Sequence, residues 1–194
     1  MDAFDHTKKM MLEKLYKPDK SFKGDVDLKA VPVIEAVNRK INYYTTSSCS
    51  GRISLFFEAE SGRKDESGWH FVEHRTVTAA EILYALKNIP KESLWFRQEA
   101  PIFHIACRSD LHAKKLLELC RNLGLKHSGV IGSSNKRIMV EIIFNNKMDV
   151  PIAKNCELFV DDKFVRFLVK QANERFEKNQ KLLRKFEKEI VKEL

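Results

Sequence analysis

Glycine is scarce in this chain, seven among 194 residues, and no Gly-x-Gly-x-x-Gly or P-loop pattern occurs. The commonest backbone cradles for nucleotide phosphates are therefore missing, and a Rossmann-type site is not expected. Proline is scarce too, at five, and no low-complexity stretch marks a linker, so residues 1–194 read as a single domain. The four cysteines, Cys49, Cys107, Cys120 and Cys156, form no Cys-x-x-Cys pair. That spacing supports no structural zinc site and fits reduced thiols in a cytoplasmic protein. No apolar run approaches the ~18 residues of a membrane span. The opening stretch "MDAFDHTKKMMLEKLYK" has early acids and no apolar core, unlike a signal peptide. Neither a membrane nor a metal is expected as a partner.

What is present is an apolar fraction of 43%, enough for a real core, and a net charge of +8. The positive excess is uneven. Residues 101–140 carry Arg108, Lys114, Lys115, Arg121, Lys126, Lys136 and Arg137 against Asp110 and Glu118. A basic surface attracts polyphosphates, of which nucleic acid is the commonest. A solvated lysine-rich surface explains the same charge equally well.

The hydrophobic period sorts the chain into elements. A helix is predicted from Asp2 to Tyr16, followed by a polar turn at "PDKSFKGD". A second helix runs through Val33, Ile34 and Val37 to near Asn42, capped by Asp25 or Asp27, unless Pro32 sets its start. "RISLFFE" (52–58) and "WHFVEHR" (69–75) read as a strand pair. Residues 78–89 read as a helix with Thr78 as N-cap and Glu81 at the capping-box position. Residues 93–108 form two strands or one broken at Pro101. A helix follows over 109–124, capped by Ser109 or Asp110 and stopped by Gly124. Strand, turn and strand occupy 126–144, and 150–160 reads as a crossing loop. Asp161 opens a long C-terminal helix with Phe164, Leu168, Ala172, Phe176, Leu183, Phe186 and Ile190 on one face. The expected fold is α+β: a mixed sheet, a duplicated β-β-α unit without a matching sequence repeat, flanking N-terminal helices and a long C-terminal helix.

The most unusual stretch is "TTSSCSGR" (45–52). Read as a turn, it offers an anion-binding nest of backbone N–H groups around Gly51, the hydroxyls of Ser47, Ser48 and Ser50, and a bidentate guanidinium in Arg52. From the residues alone it reads more readily as a hydroxyl-rich turn with Cys49 packed as a small hydrophobe. His70 and His74 fall four apart in a predicted strand and so share a face, and with His104 they could bind a metal or move a proton. On "PIFHIACR", Ile102, His104, Ala106 and Arg108 share a face. "HSGV" (127–130) ahead of "SSNKR" (133–137) reads as a hairpin.

In order and spacing, "FKGDVD", "YYTTSSCSGRISL", "WHFVEHR", "APIFHIACR", "GLKHSGV", "VPI" and "FLVKQANERFEKNQKLLRKF" resemble the tRNA wybutosine-synthesizing protein 3 family. Its members are N4-methyltransferases of the tricyclic guanosine beside the anticodon of tRNA-Phe. The resemblance covers nearly the whole chain and is similar to the archaeal stand-alone form. It implies S-adenosylmethionine as methyl donor, tRNA-Phe as partner and a non-Rossmann α+β methyltransferase domain. The family pattern lands on Ser47, Ser48, Cys49, Gly51, Arg52, His74, Pro101, His104, Ser128 and Gly129. On this reading Ser47, Ser48, Cys49, Ser50, Gly51, Arg52, Ser128 and Gly129 hold the cofactor, with a phosphate of the target nucleotide as the alternative ligand of Ser47, Ser48 and Arg52, and His104 or His74 is the base. Arg108, Lys136 and Arg137 follow the anticodon-arm phosphates, and Tyr44 or Trp95 stacks on the extruded base. The rival readings are a non-catalytic basic RNA-binding module and a metal-dependent hydrolase built on His70, His74 and His104. Oligomeric state is left open.

Overall fold

β-Branched and aromatic runs build strands here, and amphipathic runs build helices, in the order α1 (Ala3–Leu15), α2 (Val31–Asn38), β1 (Tyr43–Cys49), β2 (Arg52–Glu58), β3 (Gly68–Glu73), α3 (Ala79–Ala85), β4 (Ser93–Glu99), β5 (Ile102–Cys107), α4 (Asp110–Asn122), β6 (Gly129–Ser134), β7 (Arg137–Ile143), β8 (Met148–Lys154), β9 (Glu157–Leu158) and α5 (Asp162–Glu193). The computed structural model describes residues 2–15, 27–61, 63 and 66–194. The predicted end of α1 at Tyr16, the polar turn at 18–25 and Asp25 as a cap lie outside the described residues. The α+β class stands. In place of one mixed sheet there are two, and every strand pair in them is antiparallel. The reason lies at Pro101: the strands on either side of it, β4 and β5, belong to different sheets.

The chain groups into two units, each drawn from non-contiguous segments: 1–50, 101–145 and 181–194 in one, 51–100 and 146–180 in the other. The first unit holds a four-stranded sheet in the order β1-β5-β7-β6. Strict alternation in β7 buries Ile138, Val140 and Ile142. Phe103, Phe144 and Phe186 meet ring to ring at 5.9–6.4 Å. On the other face α1 covers one end, where Phe4 packs on Tyr44 and Ala106. Helix α2 begins at Val31 with Pro32 in its first turn, which settles its start. Asp27 does not cap it. Its carboxylate accepts from the backbone N–H of Lys29 and of Ser50 instead. Helix α4 ends in a Schellman motif, with Leu125 N–H on the Cys120 carbonyl and Gly124 N–H on Arg121. Gly124 has φ +79°, the left-handed conformation that glycine adopts without a Cβ penalty.

The second unit holds a five-stranded sheet in the order β3-β2-β4-β8-β9. Its core gathers Ile53, Leu55, Leu94 and Phe96 from the sheet, Ile82 from α3, and Val165, Leu168 and Phe176 from α5. Thr78 and Glu81 form the expected capping box. The predicted loop at 150–160 is the β8–β9 hairpin, whose central residues Asn155 and Cys156 both have positive φ, as a type I′ turn demands. Pro151 disguised this strand. It is tolerated beside a register shift between β4 and β8, where the ladder is already interrupted. The predicted repeat does not recur in chain order: this unit runs β2-β3-α3-β4 and the other β5-α4-β6-β7.

Candidate active site

The stretch 45–52 is not a turn. Residues 45–49 belong to β1, paired with β5, and Arg52 starts β2. A bulge between Thr45 and Ser47 resets the register. Without it Ser47 would not stand opposite His104. Only Ser50 and Gly51 lie between the strands, and Gly51 takes φ +89°.

Across the four-stranded sheet, Ser47 pairs with His104, His104 with Glu141 and Glu141 with Gly129. Directly opposed residues of antiparallel strands point to the same face. One lateral row thus joins three predicted site residues from three distant segments. A Cβ on Gly129 would meet nothing within 4 Å, so the row is open at that end. His104 Nε2 lies 2.8 Å from Glu141 Oε2, with the two side chains 30% and 26% exposed. An ionised carboxylate only accepts, so Nε2 carries the hydrogen, and in the neutral ring Nδ1 presents the lone pair. Glu141 was missed in the sequence. Its signal was a lone acid in the alternating run "RIMVEII", on the face shared by Arg137 and Met139.

His74 lies one residue beyond β3, so it does not share a strand face with His70. Its Nδ1 is 3.1 Å from the Gly51 carbonyl. His70 Nε2 is 2.8 Å from the Ala85 carbonyl, tying β3 to α3.

Other predicted residues have structural partners. Tyr44 is fully buried and accepts from Arg137 Nη1 at 2.9 Å, so it offers no stacking face. Arg108 is paired with Asp2 and Asp5, donates to Asn42 and lies 4.5 Å over the Phe4 ring. These contacts anchor α1. Arg52 grips the Glu99 carboxylate with two nitrogens and stacks 4.5 Å over Trp69. It does hold a carboxylate bidentately, but the carboxylate is the protein's own. Trp95 is half-buried, beside Arg97. Ser128 Oγ accepts from Ile143 N–H at 3.3 Å, just ahead of Gly129. Lys136 is exposed at the β6–β7 turn. Cys49 is half-buried, and Ser50 is buried with its N–H on Asp27.

Strand β1 is an edge of its sheet. Among the described residues, nothing hydrogen-bonds the outer backbone edge from Ser47 to Cys49, whereas Asn38 occupies it at Thr45. Small hydroxyl side chains beside an unused edge fit a ligand rich in hydroxyl and amine groups. Ser47, Ser48 and the β1 edge therefore fit the polar parts of a nucleoside-type methyl donor, and Arg52 does not serve it as a free cation.

The family described as Methyltransferase TYW3 matches residues 6–192. The chain belongs to this family. It is 38% identical over 191 residues to "tRNA(Phe) 7-((3-amino-3-carboxypropyl)-4-demethylwyosine(37)-N(4))-methyltransferase 1" of Thermococcus kodakarensis, covering 98% of this chain and 96% of that protein. A Methanocaldococcus jannaschii protein of the same name without the final numeral is 37% identical, covering 82% and 83%. Among solved structures, the PH1069 protein of Pyrococcus horikoshii superposes with a TM-score of 0.88 at 34% identity, covering 97% and 96%. The α+β fold is thus that of the methyltransferase family, and no described helix is long and apolar enough to cross a membrane.

Proposed function

We propose that this protein methylates N4 of a 4-demethylwyosine-type base in tRNA(Phe), with S-adenosylmethionine as donor. The relatives' names carry the aminocarboxypropyl arm, and this chain is read as taking the same substrate. The observation that carries the proposal is the row Ser47–His104–Glu141–Gly129 in a chain of this family. The donor, when bound, supplies an electrophilic sulfonium methyl group. Ser47, Ser48 and the β1 edge would hold its polar groups, with Ser128 and Gly129 at the far end of the row. As N4 gains a methyl group it must lose a proton. His104 Nδ1 accepts that proton while Nε2–H stays on Glu141, whose charge stabilises the imidazolium. The half-exposed ring then returns the proton to solvent. Holding N4 and the methyl carbon at about 3 Å in line contributes most of the acceleration.

The test is single-turnover methyl transfer to tRNA(Phe) from cells lacking this gene, at saturating donor. His104→Ala should lower the rate by about 10²–10⁴-fold while calorimetry shows donor binding retained. Normal turnover in His104→Ala with none in His74→Ala would assign the base to His74. A wild-type protein that binds tRNA but neither binds donor nor forms product would be an RNA-binding module, and the proposal would fail.

A further inference from the structure

We infer that the first two turns of α5 form an RNA-stacking patch that grips the tRNA, an inference that rests on the tRNA reading above. Phe164 and Phe167 are 41% and 54% exposed, with ring centroids 6.2 Å apart and planes tilted by 32°. Residues three apart on a helix share a face. The helix does not need these rings for packing. Val165, Leu168 and Val169 already bury its core side in the second unit. Two phenylalanines in contact with each other and with water form an apolar patch that calls for a partner.

The charge around them says which partner. Lys163, Arg166 and Lys170 interleave with the rings, and Asp162 is the one acid in 162–170. All three cations are exposed, and among the described residues none makes an ion pair or a side-chain hydrogen bond. Rings that accept base faces, set between cations that accept phosphates, suit an unpaired RNA segment such as the anticodon loop. Stacking tolerates any base, so the patch supplies grip without sequence choice. This fits an enzyme that already identifies its target by the modified base. Arg108, expected on phosphates, is ion-paired with Asp2 and Asp5, which leaves more of this work to other cations.

The experiment uses the full chain and an unmodified tRNA(Phe) transcript, with fluorescence anisotropy across a salt series. The Phe164→Ala/Phe167→Ala double variant should bind at least about tenfold more weakly, the loss of roughly one stacked base, with the salt slope kept. Lys163→Gln/Arg166→Gln/Lys170→Gln should bind more weakly and lose about 2 units of that slope. Thermal midpoints near wild type would show that each variant folds. Wild-type affinity and slope in both variants, alongside normal wild-type methylation, would overturn the patch and leave the enzyme assignment standing. Weakened RNA binding in both variants with no methylation by wild type would do the reverse. A wild-type dimer in sedimentation that Phe167→Glu splits without loss of RNA affinity would make a second copy the occupant and overturn the inference.

Discussion

At the scale of single residues, the bases and cations of the site are defined by what they already touch. Glu141 is the clearest case, because its carboxylate fixes which nitrogen of His104 is free. Glu141→Gln keeps an acceptor but removes the charge opposite the imidazolium. It should slow methyl transfer by about tenfold or more, with donor affinity unchanged. A single-turnover pH profile that moves with the substitution separates this effect from mere loss of packing. Arg52 illustrates the opposite outcome. The sequence suggested a hand for a ligand carboxylate, and the residue type and fork geometry were read correctly. What sequence spacing could not convey was that Glu99 faces it across the β2–β4 ladder. Arg52→Ala should therefore lower stability by about 1–3 kcal/mol, from an orphaned carboxylate and a lost stack on Trp69, with donor binding near normal. Urea unfolding and donor calorimetry on one variant decide between the two roles.

At the scale of elements, local chemistry was legible wherever it was self-contained. Thr78 and Glu81 announced their capping box, Gly124 its helix stop, and "RISLFFE" a strand with correct ends. The failures were positions where a partner elsewhere sets the conformation. Hydroxyl-rich 45–49 became a strand because β5 supplies its ladder, and Pro151 sits in one because a bulge removes the need for its missing N–H. The row through Ser47, His104, Glu141 and Gly129 depends on three registers and two register shifts, none of which is written in residue spacing. The capping box also carries a pH dependence. Hydrogen bonds from Arg75, then from Thr78, hold the Glu81 carboxyl down from the ordinary 4.5 to about 2. A carboxyl depressed in the folded state stabilises above its unfolded pKa, and the contribution is lost as pH falls through the folded value. The thermal midpoint gap between wild type and Glu81→Gln should be widest above about pH 4.5 and close as pH approaches 2. An equal gap at pH 6 and pH 2 would remove Glu81 from the acid-side stability of α3.

At the scale of the whole molecule, a net charge of +8 makes an RNA partner electrostatically natural, yet not every cation is available for it. Segment 101–140 looked like a phosphate track from its charge count. Within it, Arg108 is engaged by Asp2, Asp5 and the Phe4 ring, whereas Arg137 gives one nitrogen to the Tyr44 hydroxyl and keeps its charge. Lys136 is exposed at its turn. Two substitutions in this segment should consequently have opposite signatures. Lys136→Glu should weaken binding of all tRNA species alike and reduce the salt slope, because a phosphate contact carries no sequence information. Arg108→Ala should leave the salt slope unchanged and instead lower stability by about 2 kcal/mol, as charge-assisted hydrogen bonds and a cation–π contact are lost where α1 docks. Anisotropy titrations at several salt concentrations, paired with urea unfolding of the same preparations, read both quantities. If Arg108→Ala reduces the slope at unchanged stability, its guanidinium meets phosphate in the complex and the ion pairs with α1 must open for tRNA to bind.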